Sequence, residues 1–176
     1  RPARVDRPTL LFVGRLQRRK RLDALLRACA ALPEPQPRLV IVGDGPERAR
    51  LEMLAQRLYP AAQFAGARRG TELEPLFARA DLFVLPGTGG LAVQQAMAAG
   101  LPVVVARGDG TQDDLVRPAN GWQIAPDDEA ALAATLRLAL SDLPRLRRMG
   151  AESYRIVQED VNLERMVEVF AEAVEG

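Results

Sequence analysis

Between Leu82 and Val105 the chain reads LFVLPGTGGLAVQQAMAAGLPVVV. Leu82–Leu85 is a short apolar run that ends at Pro86, which is typical of a strand covered on both faces. Leu91–Ala99 has the pattern of a helix, and Val103–Val105 that of a second buried strand. A strand, a crossover helix and another strand in this order indicate a parallel sheet and therefore an α/β fold.

The turn between this strand and its helix contains three glycines, Gly87, Gly89 and Gly90. Glycine permits tight backbone geometry and leaves no side chain in the way of a ligand. The first N–H groups of the following helix have no partner within the helix, and together with the helix dipole they favour negative charge. The glycine turn and the start of the helix after it are therefore predicted to hold a phosphate.

The rest of the chain alternates short apolar runs with amphipathic ones, which is the signature of a parallel sheet flanked by helices. Further strands are predicted at Thr9–Val13, Arg38–Val42, Gln63–Phe64 and Trp122–Ile124. Helices are predicted at Arg21–Leu32, from Pro46 to about Leu58, from a capping box at Thr71 to about Arg79, at Asp113–Val116, from a cap at Asp127 or Asp128, at Leu143–Gly150, at Glu152–Gln158 and from Asn162 onward. We expect one Rossmann-like α/β domain with helices on both faces of the sheet and a helical C-terminal tail. Its strand-to-helix loops gather on one rim, where open parallel sheets bind ligands.

Composition excludes several classes of function. The 176 residues suffice for one sizeable core, and a net charge of +1 gives no global field that would recruit nucleic acid or an anionic membrane. The chain has no histidine, which excludes histidine-based acid–base catalysis and most zinc sites. Its single cysteine, Cys29, cannot form an internal disulfide, which fits a reducing compartment. No apolar run approaches the roughly 20 residues of a membrane span.

A cationic cluster, GRLQRRKR at Gly14–Arg21, follows the first strand. A solvated face at a helix start is one interpretation, because most charge runs are only that. Cations are nevertheless unfavourable at a helix N-terminus, where the dipole opposes each by about 0.3–1 kcal/mol. An anion held between them would explain the mismatch. A nucleic-acid interface is disfavoured, because the patch is short and has no interleaved aromatic residues.

Two other turns lie on the same predicted rim. The stretch Gly43–Pro46 is interpreted as a strand-to-helix turn rather than a direct ligand contact, and it lacks the G-x-G-x-x-G spacing of a dinucleotide site. The stretch Gly108–Asp114 clusters acidic residues, and two interpretations stay open for it. These residues are turn formers and caps, or one carboxylate accepts hydrogen bonds from sugar hydroxyls. Met97 and Trp122 are predicted to lie in the core.

Four motifs carry a resemblance to a known family. They are FVGRL with the later lysine at 12–20, VGDGP at 42–46, ADLFVLP at 80–86 and AMAAGLPV at 96–103. In this order they resemble the C-terminal, donor-binding domain of glycosyltransferase family 4 enzymes, which have the GT-B fold. The likeness covers nearly the whole chain. It implies a retaining transferase that moves a sugar from a nucleotide-sugar to a glycan or lipid acceptor without a metal or other cofactor.

The resemblance also assigns roles to residues. Arg15 and Lys20 would bind the donor diphosphate and, as catalytic cations, stabilise the negative charge that grows on it as the sugar leaves. Because they can do what a bound metal does elsewhere, no metal is expected. The donor-binding residues would be Gly14, Gly87, Gly89, Gly90, Leu91, Ala92, Gln95 and Asp114.

The chain departs from the family pattern at three positions. Gln95 stands where the family has a glutamate that accepts hydrogen bonds from the ribose, and Gly87 stands where it has an earlier glutamate. Arg21 replaces the glycine that usually follows the lysine. A neutral amide still accepts hydrogen bonds, but without the charge assistance that roughly doubles their strength. Two alternatives follow: a branch with a remodelled donor loop, or a noncatalytic nucleotide-sugar-binding module. A sugar-nucleotide epimerase fits the motifs less well.

The resemblance implies a domain organisation and a cellular setting. Residues 1–176 would form the donor-binding domain, and the enzyme's own N-terminal domain, absent from this chain, would bind the acceptor. The final helix, with an apolar stripe from Leu163 to Val174, is expected to cross back to that domain and to cause self-association in this fragment. Family habit suggests a bacterial, cytoplasmic enzyme of cell-envelope or lipopolysaccharide synthesis, with peripheral contact to the inner face of the membrane through the missing domain.

Overall fold

The computed structural model describes residues 7–89, 91–108 and 114–161. Within these ranges the strands are β1 Thr9–Val13, β2 Arg38–Val42, β3 Gln63–Gly66, β4 Leu82–Leu85, β5 Val103–Ala106 and β6 Gly121–Ile124. The α-helices are α1 Leu22–Ala30, α2 Arg48–Leu58, α3 Glu74–Arg79, α4 Leu91–Ala98, α5 Glu129–Leu140 and α6 Leu143–Ile156. Short 3₁₀ turns occupy Arg18–Lys20 and Gly70–Leu73, and a π-helical turn at Val157–Val161 follows α6.

The six strands of the described chain form one parallel sheet in the order β3-β2-β1-β4-β5-β6. The order reverses between β1 and β4, so right-handed crossovers place α1 and α2 on one face and α3 and α4 on the other. Helix α5 packs on α1, and α6 packs on α4. The predicted α/β class, with a Rossmann-like sheet, helices on both faces and a helical C-terminal end, is confirmed.

The core lies along the central strands, because β4 and β5 are buried over their whole length and β1 over all but its first residue. Phe12 and Phe83 are fully buried, and each side chain of this kind stabilises the fold by about 1.5–3 kcal/mol. Met97 is buried as predicted, and Trp122 is partly buried against the core with Arg145 over its ring, 5.7 Å from the centroid. Cys29 is a buried free thiol, and this burial raises its pKa to about 12.

Helix starts are where the sequence predictions differ most from the structure. The capping box predicted at Thr71 is wrong, because Thr71 lies inside a 3₁₀ turn and α3 begins at Glu74 with no side-chain cap. Pro75 favours this later start, since proline at the first turn of a helix gives up an N–H that would have no partner there. The predicted cap of α5 is confirmed as Asp128, which accepts a hydrogen bond from the backbone N–H of Ala131 at 2.9 Å.

Two other helix predictions are corrected. The described part of the helix predicted at Asp113–Val116 is a turn. The two helices predicted after Leu143 are one continuous helix, α6, whose N-cap Asp142 accepts a hydrogen bond from the N–H of Arg145 at 3.0 Å. The final helix predicted from Asn162 lies outside the described residues. None of the helices that the structure describes is long and apolar enough to cross a lipid bilayer.

Candidate functional site

Two loops leave the sheet side by side at the point where its strand order reverses. One follows β1 and runs through the 3₁₀ turn at Arg18–Lys20, and the other follows β4 and leads into α4. In open α/β sheets the crevice outside the carboxyl ends of the strands at such a reversal is the usual ligand site. The cationic cluster and the glycine turn, which lie far apart in the sequence, therefore meet at this crevice.

Gly87 brings the two loops into direct backbone contact. A Cβ atom built on Gly87 would lie 2.0 Å from the carbonyl oxygen of Arg19 and 2.5 Å from the Cα of Lys20. The N–H of Thr88 donates a hydrogen bond to the same Arg19 oxygen at 2.9 Å. Only glycine fits this approach, so the glutamate that the family pattern has at this position could not be accommodated in the present arrangement. The contact therefore explains why position 87 is a glycine.

The side chain of Lys20 extends from the loop after β1 towards the N-terminus of α4. A Cβ on Gly14 would lie 3.9 Å from the Cε of Lys20, and a Cβ on Gly89 would lie 2.6 Å from its Nζ. Burial, followed by repulsion from Arg19, lowers the pKa of Lys20 below its usual value. Lys20 has no carboxylate partner in the described part of the chain. Within the described residues, an ammonium without a carboxylate partner therefore lies close to the N-terminus of a helix, so its positive charge and the positive end of the helix dipole act at one place.

Arg15 is exposed and borders a second feature, a cleft of about 320 Å³ at the carboxyl ends of β1, β2 and β3. Arg68 and Arg69, from the loop after β3, also line this cleft. The cleft contains one carboxylate, that of Asp44, which accepts hydrogen bonds from the N–H of Gly45 at 2.8 Å and from Arg48 at 3.2 Å. The cleft is therefore electropositive, and it begins at Gly14, which Lys20 also approaches.

The stretch Gly43–Pro46 is the packed turn that its sequence predicted. A Cβ on Gly43, whose φ is +144°, would lie 1.8 Å from the carbonyl oxygen of Gly14, and a Cβ on Gly45 would lie 2.5 Å from that of Leu16. The turn fixes the loop after β1 against the end of β2. In addition, Gly43 and Asp44 form part of the cleft wall.

Gln95 lies away from the Lys20 ammonium, on the second turn of α4. Its side chain is exposed and borders a groove of about 410 Å³ between α3 and α4, together with Glu74 and Phe77. At the start of α4, Leu91 is 71% exposed and Ala92 is half-buried. Lys20 does not line this groove, and it approaches Gly14 and Gly89 instead.

Asp114 is exposed in a turn, and its backbone carbonyl accepts a hydrogen bond from the Nε of Arg117 at 3.0 Å. Gly90 and most of the acidic turn that precedes Asp114 lie outside the described residues. Of the predicted site residues, the structure thus brings Gly14, Lys20, Gly87 and Gly89 together, with Arg15 at the adjacent cleft. Their roles in ligand binding remain predictions.

Two features were missed by sequence reasoning. Arg68 and Arg69 directly follow β3, so their position on the rim could have been read from the chain. Lys20 is the only lysine among the 24 lysine and arginine residues. A compact ammonium on a flexible stem differs from the planar guanidinium of arginine, which suits a position as close to Gly89 as that of the Lys20 Nζ.

The chemistry of this crevice suits an anion. Among the residues that the structure describes, the charged side chains found at the crevice are the cations Lys20 and Arg19. The first turn of α4, which begins at Leu91, adds main-chain N–H groups without a partner in the helix. In the ranges that the structure covers, no group of three or more His, Cys, Asp or Glu side chains could hold a metal ion. A phosphate or diphosphate is the ligand class that this combination of ammonium, guanidinium and main-chain N–H groups binds best.

Comparison with known proteins identifies the family. The model of the family "Glycosyl transferases group 1" matches residues 1–156. A sulfoquinovosyl transferase from Arabidopsis thaliana is 36% identical over 143 residues, which cover 78% of this chain and 27% of that protein. A GDP-mannose-dependent alpha-mannosyltransferase from Mycobacterium tuberculosis is 42% identical over 128 residues, which cover 70% of this chain and 31% of that protein.

Solved structures agree with the sequence relatives. The sucrose-phosphate synthase of Thermosynechococcus elongatus superposes with a TM-score of 0.83 and 29% identity, over 97% of this chain and 46% of that one. The chain thus spans less than a third of the length of these curated relatives, 27% and 31%, and 46% of this structural neighbour. Because the family model covers most of its residues, the chain belongs to the glycosyl transferases group 1 family, of GT-B type.

Proposed function

We propose that this chain is the donor-binding half of a retaining, metal-independent glycosyltransferase of the family 4 kind, which moves a sugar from a nucleotide-sugar to a glycan or lipid acceptor. One observation carries the proposal: the Nζ of Lys20 lies beside Gly89, close to the start of α4, where the strand order reverses. Family membership supports it. So does the mannosyltransferase relative, whose name makes its donor a nucleotide-sugar.

The proposed mechanism follows from charge. Breaking the bond between sugar and nucleotide leaves a diphosphate on which negative charge grows. Preorganised donors stabilise such charge by a few kcal/mol each, because they need no rearrangement at the moment of reaction. Lys20 and the N–H groups of α4 would act on this diphosphate from the crevice, and Arg15 from the cleft. These cations would replace a bound metal, which supports metal independence.

The remaining donor-binding residues have roles that follow from their positions. We place the ribose towards the groove between α3 and α4, where Gln95 would accept hydrogen bonds from its hydroxyls. The exposed carboxylate of Asp114 would accept hydrogen bonds from the sugar. Leu91 and Ala92 would contribute main-chain N–H groups rather than side chains, because both belong to the first turn of α4.

The proposal extends to the parent protein. The acceptor would bind to a separate N-terminal domain, so this chain alone would bind the donor weakly and transfer no sugar. A cytoplasmic enzyme of bacterial cell-envelope glycan or lipopolysaccharide synthesis, with peripheral membrane contact through the other domain, is the setting that we propose from the resemblance.

Calorimetric titration with UDP, GDP and ADP tests the donor site. We expect one of the three to bind, and the double variant Arg15→Ala/Lys20→Ala to weaken that binding by at least tenfold, since each cation is expected to contribute about 1.5–3 kcal/mol to a charge-assisted contact. Arg57→Ala is the matched control. It removes a cation from the last turn of α2. Because α2 begins at the carboxyl ends of the strands, its last turn lies at the other end of the helix, away from the site, and the affinity should stay unchanged. Equal affinities of the double variant and the wild type would refute the site.

A noncatalytic nucleotide-sugar-binding module is the second candidate, and Gly87 is the observation that favours it. Its contact with the backbone of Arg19 leaves no room for the first glutamate of the family pattern, and the second position is occupied by the neutral Gln95. Transfer assays on the whole protein separate the two candidates. Binding without transfer by both the wild type and Gln95→Glu would support the noncatalytic module.

A further inference from the structure

Arg21, the residue after Lys20, has an unusual backbone conformation. Its φ of 57° and ψ of 39° lie in the left-handed region, which residues other than glycine occupy at a steric cost. Its N–H donates to the carbonyl oxygen of Arg18 at 3.1 Å, which closes the 3₁₀ turn, and α1 begins at the next residue. The backbone of Arg21 therefore joins the turn that carries Lys20 to the start of α1.

Three carboxylates surround the Arg21 guanidinium, and we call them the carboxylate cage: Asp23, Asp127 and Glu129. The Nη1 of Arg21 lies 2.9 Å from Asp127, the Nη2 lies 3.1 Å from Glu129, and the Nε lies 3.5 Å from Asp23. Arg27 also bonds Asp23 and Glu129 from the next turn of α1. Its hydrogen bond to Glu129 lowers the pKa of that carboxyl, which keeps the cage charged.

The cage borders the loop that follows β4. The Arg21 side chain, Asp127 and Glu129 share a small pocket with Pro86, the first residue of the loop that carries Gly87 and Gly89. The side chain of Arg21 is only 30% exposed and that of Asp23 only 19%, so solvent screens this ion pair less than the pair with the exposed Asp127. One residue thus joins the turn that carries Lys20, the glycine loop and the start of α5.

We propose that Arg21 is a positioning residue, which acts on the donor through Lys20. The carboxylate cage holds the Arg21 side chain in place, and the held side chain keeps the Arg21 backbone in the left-handed conformation. This conformation directs the ammonium of Lys20 to the N-terminus of α4. The inference rests on the proposed function, since it concerns the same diphosphate site. It also explains how the chain manages without the glycine that the family has at this position.

A matched pair of variants tests the role of the backbone. Arg21→Gly and Arg21→Ala remove the same charge and the same ion pairs, but only glycine adopts the left-handed conformation freely. We expect the Kd of the nucleotide diphosphate that the wild type binds to stay within about threefold in Arg21→Gly and to rise roughly five- to thirtyfold in Arg21→Ala. Equal losses in both variants would show that Arg21 acts through its charge, and no loss in either would show that it only stabilises the fold. Either result overturns the inference.

The double variant Asp127→Asn/Glu129→Gln tests the carboxylate cage, because electrostatics and positioning predict opposite changes in anion affinity. Removing two negative charges near an anion site should tighten anion binding if only the electrostatic field matters. Positioning requires the reverse, and we expect the Kd to rise several-fold. Asn tolerates the left-handed conformation that Asp127 has at φ 62°, so the backbone can stay as it is. Tighter binding by this variant would overturn the inference.

A readout on the unliganded protein separates this inference from the proposed function. As the only lysine, Lys20 can be labelled by reductive ¹³C-methylation and titrated by NMR without overlap from other lysines. The groups described around its head are the uncharged Gly14, Leu85 and Gly89 and the cationic Arg19. In Arg21→Ala we expect the pKa of Lys20 to return towards its ordinary value, and in Arg21→Gly to stay low. Equal pKa values in both variants would overturn the inference, whereas a wild type that binds no nucleotide would overturn only the proposed function.

Discussion

At the scale of single residues, Gly87 shows what the structure adds to a prediction from sequence. The glycine turn could be recognised from the chain alone, because a strand, glycines and a helix follow one another. The contact that requires glycine could not, since it joins Gly87 to Arg19, 68 positions earlier in the chain. The structure gives Gly87 a role of its own, as the point at which two loops pack.

We expect Gly87→Ala to destabilise the protein by about 1–3 kcal/mol, because its Cβ would overlap backbone atoms that have no free rotamer to adopt. Urea denaturation measures the change in the free energy of unfolding. Gly108→Ala is the control, since a Cβ there would meet nothing within 4 Å and should change stability by no more than about 0.5 kcal/mol. Similar effects of the two substitutions would mean that the loops do not touch as described.

Ion pairs are the residue-level feature that spacing does not reveal. Arg15, Arg21 and Arg27 look alike in a chain rich in arginine, yet only Arg21 and Arg27 have carboxylate partners among the described residues. Those of Arg21 at Asp127 and Glu129 lie more than 100 positions away along the chain. Residue patterns alone therefore predicted a cationic cluster, and Arg15 and Lys20 were singled out within it only by the family resemblance.

At the scale of elements, α6 is the clearest departure from prediction. The sequence predicted two helical segments, Leu143–Gly150 and Glu152–Gln158, and the structure has one helix that runs through Gly150. A Cβ on Gly150 would lie 2.1 Å from the carbonyl oxygen of Gly100, just after α4. Gly150 is therefore required for the close crossing of two helices. This crossing supports the C-terminal end of α4, and the candidate phosphate site lies at the N-terminal end of the same helix.

We expect Gly150→Ala to lower the free energy of unfolding by about 1–3 kcal/mol, because the added methyl group would force α6 away from α4. Helix propensity alone requires a gain of about 1 kcal/mol from the same substitution. Thermal or chemical denaturation decides between the two signs. The reverse substitution at the exposed neighbour, Ala151→Gly, should lower stability by roughly 0.5–1 kcal/mol. A more stable Gly150→Ala protein would contradict the crossing.

At the scale of the whole molecule, the class of fold could be predicted and the order of its strands could not. Alternating apolar and amphipathic runs indicated a parallel sheet with its loops on one rim. That β1 lies between β2 and β4 depends on long-range pairing, which local patterns do not encode. This order brings the loops after β1 and β4 together, so the site follows from the topology as much as from its residues.

The proposed function depends on the position of Lys20 between the loops after β1 and β4. The pKa of Lys20 reports directly on that position. In the free protein, burial and Arg19 lower this pKa, so the ammonium loses its proton at a lower pH than lysine usually does. An anion bound beside it favours the charged form and raises the pKa. Affinity should therefore be greatest below the pKa of the free protein and should fall as pH rises through it.

The most direct measurement is the NMR titration of ¹³C-methylated Lys20 with and without a saturating nucleoside diphosphate. We expect the pKa of Lys20 to rise by about one unit or more on binding, as it does when an opposite charge comes within a few ångströms. An unchanged pKa, while calorimetry shows that the nucleotide is bound, would place the diphosphate elsewhere and contradict the account.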